Sequence, residues 1–596
     1  MDEVRAKFNK KKLIFALFVL ILFIILICKF FSLQILSNEI YLSRSEQNRI
    51  REVVVEPARG LIYDRNGNLM VDNRPAFSVS LIPYEVSRSE NVIPFFVNNK
   101  FVKPGIIEEK IKNTKMIFNP VKLMGQIDFV GLSMLEENKL DLPGVVYQTE
   151  PKRYYPSGVR ASHILGYIGE INEKEITLLG EDYYQPGDIV GKMGIEKKYE
   201  KILHGDKGYE YIQVDALGRE IESFISERQN IQPVQGKNVY LTIDLPLQKC
   251  CEELLEGEKG SIVILNAKNG EILALVSKPD YDPNFFSRNF TIEEWKKLSE
   301  DPSHILINRA TVGEYPPGSA FKLISAIAAL NENIVTPAWT RTCPGYYRLG
   351  RRIFSCFRNT VHGKLDLLQA IERSCNVYFY QLGLEIGVDV WAKYAKLFKF
   401  GKISEMDIPE EKSGIVPTRE YMDGIYGKNG WTDGNLVNMA IGQGDILVTP
   451  LQMAAFVMAI GNEGIYHKPH LVKFIEDNET KNRTLMEVKS DTISEVSEYV
   501  FKIIKDGMYM VVNGEKGTGR AAKIPGIDIG GKTGTAQNPH GEDHGWFIGF
   551  APVDNPVIAF SILVENGGIG GAVAAPIARK FLTQYFRDNV IIAKKN

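Results

Sequence analysis

The sequence predicts an α+β protein with one N-terminal transmembrane helix, an elongated mixed α/β region, and an antiparallel sheet covered by helices. Three observations lead to this prediction. One long apolar run lies near the N-terminus, short strand-like segments dominate the first third of the chain, and strands flank a helical stretch in the remainder. At 596 residues the chain is long enough for roughly two to four folding units.

The composition argues against two broad classes of protein. Hydrophobic residues make up 44% of the chain, which is typical of globular domains and not of disordered ones. Lys plus Arg (71) nearly balance Asp plus Glu (73), so no overall electric field favours nucleic acid. No DNA- or RNA-binding motif stands out, and we expect no nucleic-acid partner.

The N-terminal apolar run predicts a membrane span. Residues 13–36 are long enough to cross a hydrocarbon core of about 30 Å, with Lys29 extending to the far interface. Basic residues precede it at Arg5, Lys7, Lys10, Lys11 and Lys12. The positive-inside rule then predicts a cytoplasmic tail (1–12), a single span in the inner membrane and a periplasmic bulk. A cleaved signal peptide is the alternative, although no small-residue cleavage site follows Cys28.

The first exported region, residues 37–234, predicts short mixed elements. We expect a polar helix over 37–50, a hairpin turn at Arg65-Asn66-Gly67, helices near 107–115 and 132–140, and strands over 77–82 and 209–214. A linker at 229–237 separates this region from the next domain.

The second exported region, residues 238–590, predicts an antiparallel sheet with helices. Its predicted elements are a strand over 238–243, a helix over 247–255, a hairpin of 260–265 with 271–277, helical segments through 320–397, strands over 529–535, 545–551 and 557–564, and a closing helix over 572–587. This order of elements places helices against one sheet.

Residues 315–322 (YPPGSAFK) end a loop where an apolar helix begins. Ser319 is expected in the first turn, with Lys322 three residues later on the same face. A serine hydroxyl needs a base to become a nucleophile, and a lysine serves when burial and a helix N-terminus lower its pKa. The Ser319 N–H is also placed to stabilise an oxyanion. An ordinary capped helix would have the same pattern, so this motif is weak by itself.

Ser374 and Asn376 flank Cys375 at the start of another apolar helix. The serine could relay a proton between a lysine and a leaving amine, and the asparagine could hold a substrate amide and the lysine. Serine and asparagine are also common helix caps, so this pair too is weak evidence by itself.

Residues 532–535 (KTGT) follow two glycines on a predicted strand. Alternation places Lys532 and Gly534 on one face and Thr533 and Thr535 on the other. Gly534 lets a substrate backbone approach closely, and the Thr535 N–H offers a second oxyanion donor. Lys532 and the threonine hydroxyls could attract a carboxylate. A strand with a surface lysine is the alternative.

The order of the three motifs is far more specific than any one of them. Ser-x-x-Lys, Ser-x-Asn and Lys-Thr-Gly together mark β-lactamases and penicillin-binding proteins. Three segments of the first exported region also match class B penicillin-binding proteins. They are Arg59–Gly67 (RGLIYDRNG), Gly191–Glu200 (GKMGIEKKYE) with Leu203–Gly205 (LHG), and Asp215–Arg219. The chain therefore resembles class B penicillin-binding proteins over nearly its whole exported length.

The resemblance implies a peptidoglycan D,D-transpeptidase. It implies a pedestal (dimerisation-type) domain over 37–234 and a transpeptidase domain with a serine β-lactamase-like fold over 238–590. Ser319 would attack the D-Ala-D-Ala carbonyl of a donor stem peptide, D-alanine would leave, and an acceptor amine would take the acyl group. β-Lactam antibiotics would acylate the same serine. No glycosyltransferase region is evident, so the implied partner is a RodA-type glycan polymerase, and no organic cofactor is implied.

Cys343, Cys356, His362 and Cys375 form a candidate zinc set. Three thiolates and an imidazole make a complete tetrahedral set, although their spacing is wider than in a zinc ribbon. They resemble the metal site beside the active site in the elongation-type, penicillin-binding protein 2 branch of the class, where carboxylates can take the first two positions. The resemblance implies a structural Zn²⁺ and a role in cell elongation and rod shape. A Cys343–Cys356 disulfide and buried free thiols stay open as alternatives.

Two other functions use the same motifs. A penicillin-hydrolysing or carboxypeptidase-type serine hydrolase needs a base for the deacylating water, and no convincing Glu-x-x-x-Asn element lies between Asn376 and Lys532. A non-catalytic penicillin-binding scaffold or sensor usually has more membrane spans or a cytoplasmic signalling domain. The residues His540, Glu542, Asp543 and His544 could bind a metal, but we expect a solvated loop there.

Overall fold

The computed structural model describes residues 2–36, 50–114, 117, 120–127, 129–156, 158–181, 183–214, 220–223, 230–288, 290–428 and 430–595. The helix predicted over 37–50 and the matched segment 215–219 lie outside the described residues, except that Ile50 begins a strand. The chain divides by internal contacts into two compact units. The first comprises 1–57, 75–150 and 206–234, and the second comprises 58–74, 151–205 and 235–596.

The first unit begins with the apolar helix. This helix runs over Asp2–Phe31 and continues as a π-helical turn over Ser32–Leu36. Lys12–Phe31 has a mean hydropathy of 3.2, and none of it is buried against the rest of the protein. By length and composition it is able to cross a bilayer, in agreement with the predicted span.

The rest of the first unit consists of short mixed elements. The strands Ile50–Val55, Gly208–Val214 and Glu220–Ser223 form one antiparallel sheet in that order. The helices are Pro83–Val86, Val92–Asn98, Ile106–Asn113, Phe129–Glu137 and the 3₁₀ turn Lys139–Asp141. They pack around the strand Val121–Ile127 on a core that includes Val79, Phe96 and Leu135. The predicted helices at 107–115 and 132–140 are therefore confirmed within a few residues.

Four strands contain a boundary between the residues of the first unit and those of the second. They are Leu69–Leu81, Val145–Tyr154, Gly205–Asp206 and Val234–Gln235. The segment expected as a strand over 77–82 is the end of Leu69–Leu81. Ile62 pairs with Val71 across the Arg65-Asn66-Gly67 turn, so the predicted hairpin is confirmed.

The second unit is built on a five-stranded antiparallel sheet. Its strands are β1 (Gly260–Asn266), β2 (Ile272–Lys278), β3 (Gly530–Ala536), β4 (His544–Ala551) and β5 (Ile558–Val564), in the spatial order β2-β1-β5-β4-β3. Alternate residues face two different cores, because Val263 and Leu265 pack on one side of the sheet and Ile262 and Ile264 on the other. Both faces are therefore covered.

Helices cover the two faces of this sheet. The main ones are α1 (Leu245–Leu254), α2 (Lys322–Asn331), α3 (Asn376–Leu397), α4 (Pro450–Gly461), α5 (Glu498–Asn513) and α6 (Gly570–Lys595). Every residue of α4 is buried, and this helix lies against β1, β4 and β5. Helices α1 and α6 pack on the opposite face. The α+β architecture predicted from the element order is confirmed.

The remaining elements of the second unit are short. Its further strands are Ile62–Tyr63, Ile168–Glu170, Ile189–Gly191, Asn238–Leu241, Ile465–His467, Val472–Glu476, Arg483–Leu485 and Ser490–Thr492. Its further helices are Ser162–Leu165, Glu173–Leu179, Gly194–Lys198, Glu200–Leu203, Ile292–Ser299, Leu367–Glu372, Arg419–Tyr426 and Asp433–Met439, with 3₁₀ turns at Pro283–Ser287, Gly318–Phe321, Phe357–Asn359 and Arg520–Ala522.

The expectation that helical segments dominate residues 320–397 is confirmed at the two ends of this range but not in its middle. Between α2 and α3 the chain forms the strands Arg341–Cys343, Tyr346–Leu349, Arg352–Ser355 and Gly363–Leu365. They pair as two small antiparallel sheets, first with fourth and second with third. These three- and four-residue strands are too short to show a clear period of two in the sequence.

A buried charge network joins two stretches of the second unit, 58–74 and 151–205. Arg59 donates to Glu196 at 2.7 Å and to Glu200 at 2.9 Å, and Arg153 donates to Glu196 at 2.7 Å. All four side chains are buried. The nearby carboxylates raise the pKa of Arg59 despite its burial. Two of the segments matched in the sequence, 59–67 and 191–205, thus meet at one ion network.

Candidate active site

Ser319 lies on the 3₁₀ turn Gly318–Phe321, which leads directly into α2. This is the predicted position at a helix start. The side chain is half-buried, and among the described residues its hydroxyl has no hydrogen-bond partner. The hydroxyl is therefore free to meet a substrate.

Gly318 fixes the turn before the serine. Its φ is +54°, in the left-handed region that favours glycine, and a Cβ there would lie 2.7 Å from the Thr535 carbonyl oxygen. Its N–H donates to the Gly442 carbonyl at 2.9 Å. Close backbone contact with β3 therefore requires glycine at position 318.

Lys322 is fully buried and directed at the second motif. Its Nζ donates to the Ser374 carbonyl at 2.7 Å, to Ser374 Oγ at 3.3 Å and to Asn376 Oδ1 at 2.6 Å. Burial lowers the pKa of Lys322 to about 8, against an opposing effect of the neighbouring thiolates. A lysine in this state exchanges a proton near neutral pH.

Ser374 is the meeting point of two lysines. Lys532 Nζ donates to Ser374 Oγ at 2.9 Å and to the Thr533 carbonyl at 2.9 Å. Burial and then the charge of Lys322 lower the pKa of Lys532 well below its ordinary value. Ser374 itself has φ +52°, a strained conformation for a residue with a side chain, and such strain is common at functional sites.

The Lys-Thr-Gly strand borders the serine turn. A Cβ on Gly534 would lie 3.0 Å from the Pro317 carbonyl and 3.5 Å from the Ala320 nitrogen. The Thr533 hydroxyl shares a hydrogen bond of 2.7 Å with Thr518. Lys532 and Gly534 therefore face the serine turn and Thr533 faces away from it, as alternation along β3 predicts.

Three residues outside the three sequence motifs support the site. The Gln443 side chain donates to the Thr535 carbonyl at 3.1 Å, and Trp546 Nε1 donates to the Pro316 carbonyl at 3.0 Å. The Gly442 carbonyl accepts a hydrogen bond from the Gly318 N–H. In the sequence, the loop that carries Gly442 and Gln443 is marked only by Gly-Gln-Gly next to an apolar stretch.

The Cys/His set forms one compact cluster beside Ser374. One ligand atom from each of Cys343, Cys356, His362 and Cys375 lies within 4.8 Å of all the others. His362 Nδ1 is 3.6 Å from the Cys343 sulfur and 3.5 Å from the Cys356 sulfur. The cysteines are free, so the structure contains no Cys343–Cys356 disulfide.

These distances fit a tetrahedral zinc ion. Zinc bonds of about 2.3 Å to sulfur and about 2.0–2.1 Å to nitrogen, at tetrahedral angles, separate the two atoms by about 3.6 Å. Both observed sulfur-to-nitrogen distances agree with this value. A hydrogen bond between Cys375 and Cys356 lowers the pKa of Cys356 and raises that of Cys375, so the two sulfurs share one proton that a bound metal would displace.

Other candidate residues lie away from this chemistry. His540 and Glu542 are exposed on the loop between β3 and β4, as expected for a solvated loop. His544 accepts a hydrogen bond from the Asn566 N–H, and burial lowers its pKa. Cys251 is buried on α1 and Cys250 is half-buried, which agrees with a packing role.

Comparison with known proteins decides the family. Residues 260–583 match the penicillin-binding protein transpeptidase domain, and residues 54–241 match the penicillin-binding protein dimerisation domain. The chain belongs to the class B penicillin-binding proteins. It is 34% identical to the peptidoglycan D,D-transpeptidase MrdA of Haemophilus influenzae, and the match covers 98% of this chain and 93% of that protein.

Solved structures agree with this assignment. A complex between PBP2 and MreC from Helicobacter pylori superposes with a TM-score of 0.77 at 29% identity, covering 90% of this chain and all of that one. A structure described as the coordination of polymerization and crosslinking by a peptidoglycan synthase complex gives a TM-score of 0.70 at 29% identity, covering 96% and 97% of the two chains. The protein is a peptidoglycan D,D-transpeptidase, a serine-type acyltransferase, and its substrate is peptidoglycan.

Proposed function

We propose that Ser319 is the nucleophile of this transpeptidase and that Lys322, Ser374, Asn376 and Lys532 form its proton-transfer machinery. The single observation that supports this most is the continuous contact from Lys322 Nζ through Ser374 Oγ to Lys532 Nζ, one helical turn from Ser319. Two buried lysines around one hydroxyl cost free energy that a purely structural site would not need.

In the acylation step, neutral Lys322 takes the proton of the Ser319 hydroxyl as its oxygen attacks the D-Ala-D-Ala carbonyl. The peptide C–N bond then breaks, an ester forms on Ser319, and the leaving D-alanine amine receives a proton through Ser374 and Lys532. In the second step an acceptor amine attacks the ester. A new amide bond forms, the ester bond between the acyl carbon and Ser319 Oγ breaks, and the amine proton returns to the serine oxygen.

Strand β3 is the substrate-binding edge in this proposal. The backbone N–H groups of Ser319 and Thr535 stabilise the oxyanion, and Gly534 lets the donor backbone lie close to the strand. Lys532 and the half-buried Thr535 hydroxyl donate to the terminal carboxylate of the donor, whereas the Thr533 hydroxyl is bonded to Thr518. The close contact of Gly318 with the Thr535 carbonyl holds the serine turn and the strand together, which supports this assignment.

The cellular setting follows from the remaining features. We assign residues 1–12 to the cytoplasm, 13–36 to a single inner-membrane span, 37–234 to the pedestal and 238–590 to the periplasmic transpeptidase domain. The likeness to MrdA favours a role in cell elongation and rod shape. The likeness to a complex of polymerization and crosslinking favours a RodA-type glycan polymerase as partner.

Zn²⁺ at Cys343, Cys356, His362 and Cys375 is the proposed cofactor. A complete set of four protein ligands leaves no position for a catalytic water, so the role is structural. Because Cys375 lies between Ser374 and Asn376, a metal there would fix the turn that positions the proton relay. The donor set and the distances of 3.5 and 3.6 Å support zinc.

The decisive experiment is labelling with a fluorescent penicillin followed by peptide mapping. We expect one long-lived adduct on Ser319, its loss in Ser319→Ala, and unchanged labelling in Ser299→Ala, a control at an exposed serine of the same domain. Rapid turnover of the penicillin would favour a hydrolase instead. A Ser319→Ala chain that fully supports growth and rod shape would favour a non-catalytic scaffold.

A further inference from the structure

The segment 341–364, called the basic loop below, carries a strong positive charge and contributes Cys343, Cys356 and His362 to the cluster beside Ser374. It contains six basic residues and no acidic one, in a chain whose net charge is only −2. The six are Arg341, Arg348, Arg351, Arg352, Arg358 and Lys364. Charge of one sign at this density attracts an anionic ligand.

Most of these charges are not neutralised by the protein. Arg341 pairs with Glu385 at 3.3 Å. Within the part of the chain that the structure describes, the other five have no ion-pair partner, and all five are exposed. Arg352 and Arg358 lie over the rings of Phe354 and Phe357, which holds their guanidinium groups close to the surface.

The hairpin in the basic loop has one exposed face and one buried face. Arg348 pairs across the strands with Ile353, and Tyr346 pairs with Ser355, so these four side chains share one face. Tyr346 is 48% exposed and Ile353 is 53% exposed, whereas Phe354 on the opposite face is buried. One face is therefore anchored in the domain, and the other offers apolar and cationic groups to solvent.

The loop is fixed to the catalytic turn at short range. The Tyr380 hydroxyl on α3 donates to the Ser355 carbonyl at 3.0 Å. Cys356 follows directly, and its sulfur belongs to the cluster that contains Cys375. Since Cys375 adjoins Ser374, the exposed face is tied to the proton relay through one buried cluster.

We propose that the basic loop binds the free carboxylates of the acceptor stem peptide and directs its amine towards the acyl-enzyme on Ser319. This inference rests on the proposed function and extends it to the second substrate. The donor ends in a carboxylate assigned to Lys532 and Thr535 on β3. The acceptor arrives later from solvent with several carboxylates, which exposed arginines bind in bidentate geometry.

The test uses the full chain in detergent with a thioester analogue of the D-Ala-D-Ala donor. The acceptor is a stem tetrapeptide with a free side-chain amine, supplied with its carboxylates either free or amidated. The variant is Arg348→Glu/Arg351→Glu, and the control is Lys297→Glu/Lys502→Glu, which makes the same charge change at exposed helix positions. Transfer product and hydrolysis product are both measured at each acceptor concentration.

We expect the acceptor concentration for half-maximal transfer to rise roughly tenfold in the arginine variant with the free-carboxylate acceptor, since each surface ion pair contributes a small factor. The control should change it less than about twofold. The amidated acceptor should not distinguish the proteins, and added salt should weaken transfer most in the unaltered chain. Arg348→Lys/Arg351→Lys should restore most of the loss.

The rate of penicillin acylation separates the outcomes. If the unaltered chain forms no Ser319 adduct, the proposed function fails before any acceptor is added. This inference is wrong if the arginine variant acylates normally and its transfer depends on acceptor concentration as in the unaltered chain. It is also wrong if transfer by the variant falls equally with the free-carboxylate and the amidated acceptor. An acidic protein partner for the basic loop would then be the better explanation. If the double variant acylates poorly, the milder Arg351→Gln at the exposed turn decides by the same criteria.

Discussion

Lys322 and Lys532 both donate to the hydroxyl of Ser374. Two ammonium groups this close repel each other, and neither side chain is exposed to water. Burial favours the neutral form of both lysines, and the charge of Lys322 adds to this effect at Lys532, so the arrangement supplies a base without an acidic partner. The chemical character of each lysine is thus set by burial and by its neighbour, which a sequence motif cannot show.

At the residue scale, we expect Ser319 acylation to rise with pH and level off above about 8. The pKa of Lys322 is lowered to about 8, and only its neutral form accepts the serine proton. The rate at pH 6 should therefore be roughly a hundredfold below the plateau. The measurement is the second-order rate of labelling by a fluorescent penicillin between pH 6 and 9.5.

Lys322→Arg is the matched variant for this profile. It keeps the positive charge but does not deprotonate in this range, so its labelling should be slow at every pH. A flat profile in the unaltered chain would rule out Lys322 as the base.

The same lowered pKa means that the unfolded chain binds the proton more tightly. Stability should therefore rise with pH between about 8 and the ordinary value of 10.5.

Gly318→Ala should slow acylation at least tenfold. Alanine at φ +54° costs about 1–2 kcal/mol, and its Cβ would in addition lie 2.7 Å from the Thr535 carbonyl. The control is Gly257→Ala, which also has positive φ but open space around the added carbon. Labelling rates and thermal unfolding of both variants give the comparison. Equal effects in the two would show that the contact with β3 is not needed.

At the element scale, the sequence predicts regular structure well wherever the pattern is local. The three late strands and the hairpin of β1 with β2 are found within one or two residues of their predicted bounds. The catalytic motifs likewise lie where they are predicted, at the starts of two helices and on a strand. Local patterns suffice there because alternation, turns and caps each involve neighbouring residues.

The features that the sequence does not predict depend on contacts between distant residues. Gly318 is needed because of Thr535, and Gln443 matters because of the same carbonyl. The strands of the basic loop are only three or four residues long. The Cys/His cluster and α3 hold them in place rather than strand propensity. Such contacts arise only after the chain has folded.

The metal prediction belongs to this scale, since the cluster fixes short elements that have little core of their own. We expect about one zinc per chain in protein purified without chelator. Removing it, or Cys356→Ser, should lower the unfolding midpoint by roughly 5–10 °C, as for a loss of a few kcal/mol. Elemental mass spectrometry and thermal unfolding are the measurements.

Cys250→Ser is the control, because this half-buried cysteine lies on α1 outside the cluster. It should retain full zinc and a nearly unchanged midpoint. Substoichiometric zinc together with a Cys343–Cys356 bridge in the peptide map would contradict the metal assignment and favour a disulfide.

At the scale of the whole molecule, the second unit is assembled from three separate stretches of chain. Residues 58–74 and 151–205 pack with the transpeptidase domain although they precede it by many residues. The buried network of Arg59, Arg153, Glu196 and Glu200 links the first two of these stretches, 58–74 and 151–205. A chain divided only in sequence order would not reveal this shared core.

Glu196→Ala should destabilise the second unit by about 3–5 kcal/mol, because it leaves two guanidinium groups buried without their shared carboxylate. Asp389→Ala is the control. It breaks an exposed ion pair with Arg419, for which about 0–1 kcal/mol is expected. Urea unfolding followed by penicillin labelling would report on the fold and the active site together. If Glu196→Ala were no more destabilising than Asp389→Ala, the network would not be what holds the two early stretches, 58–74 and 151–205, together.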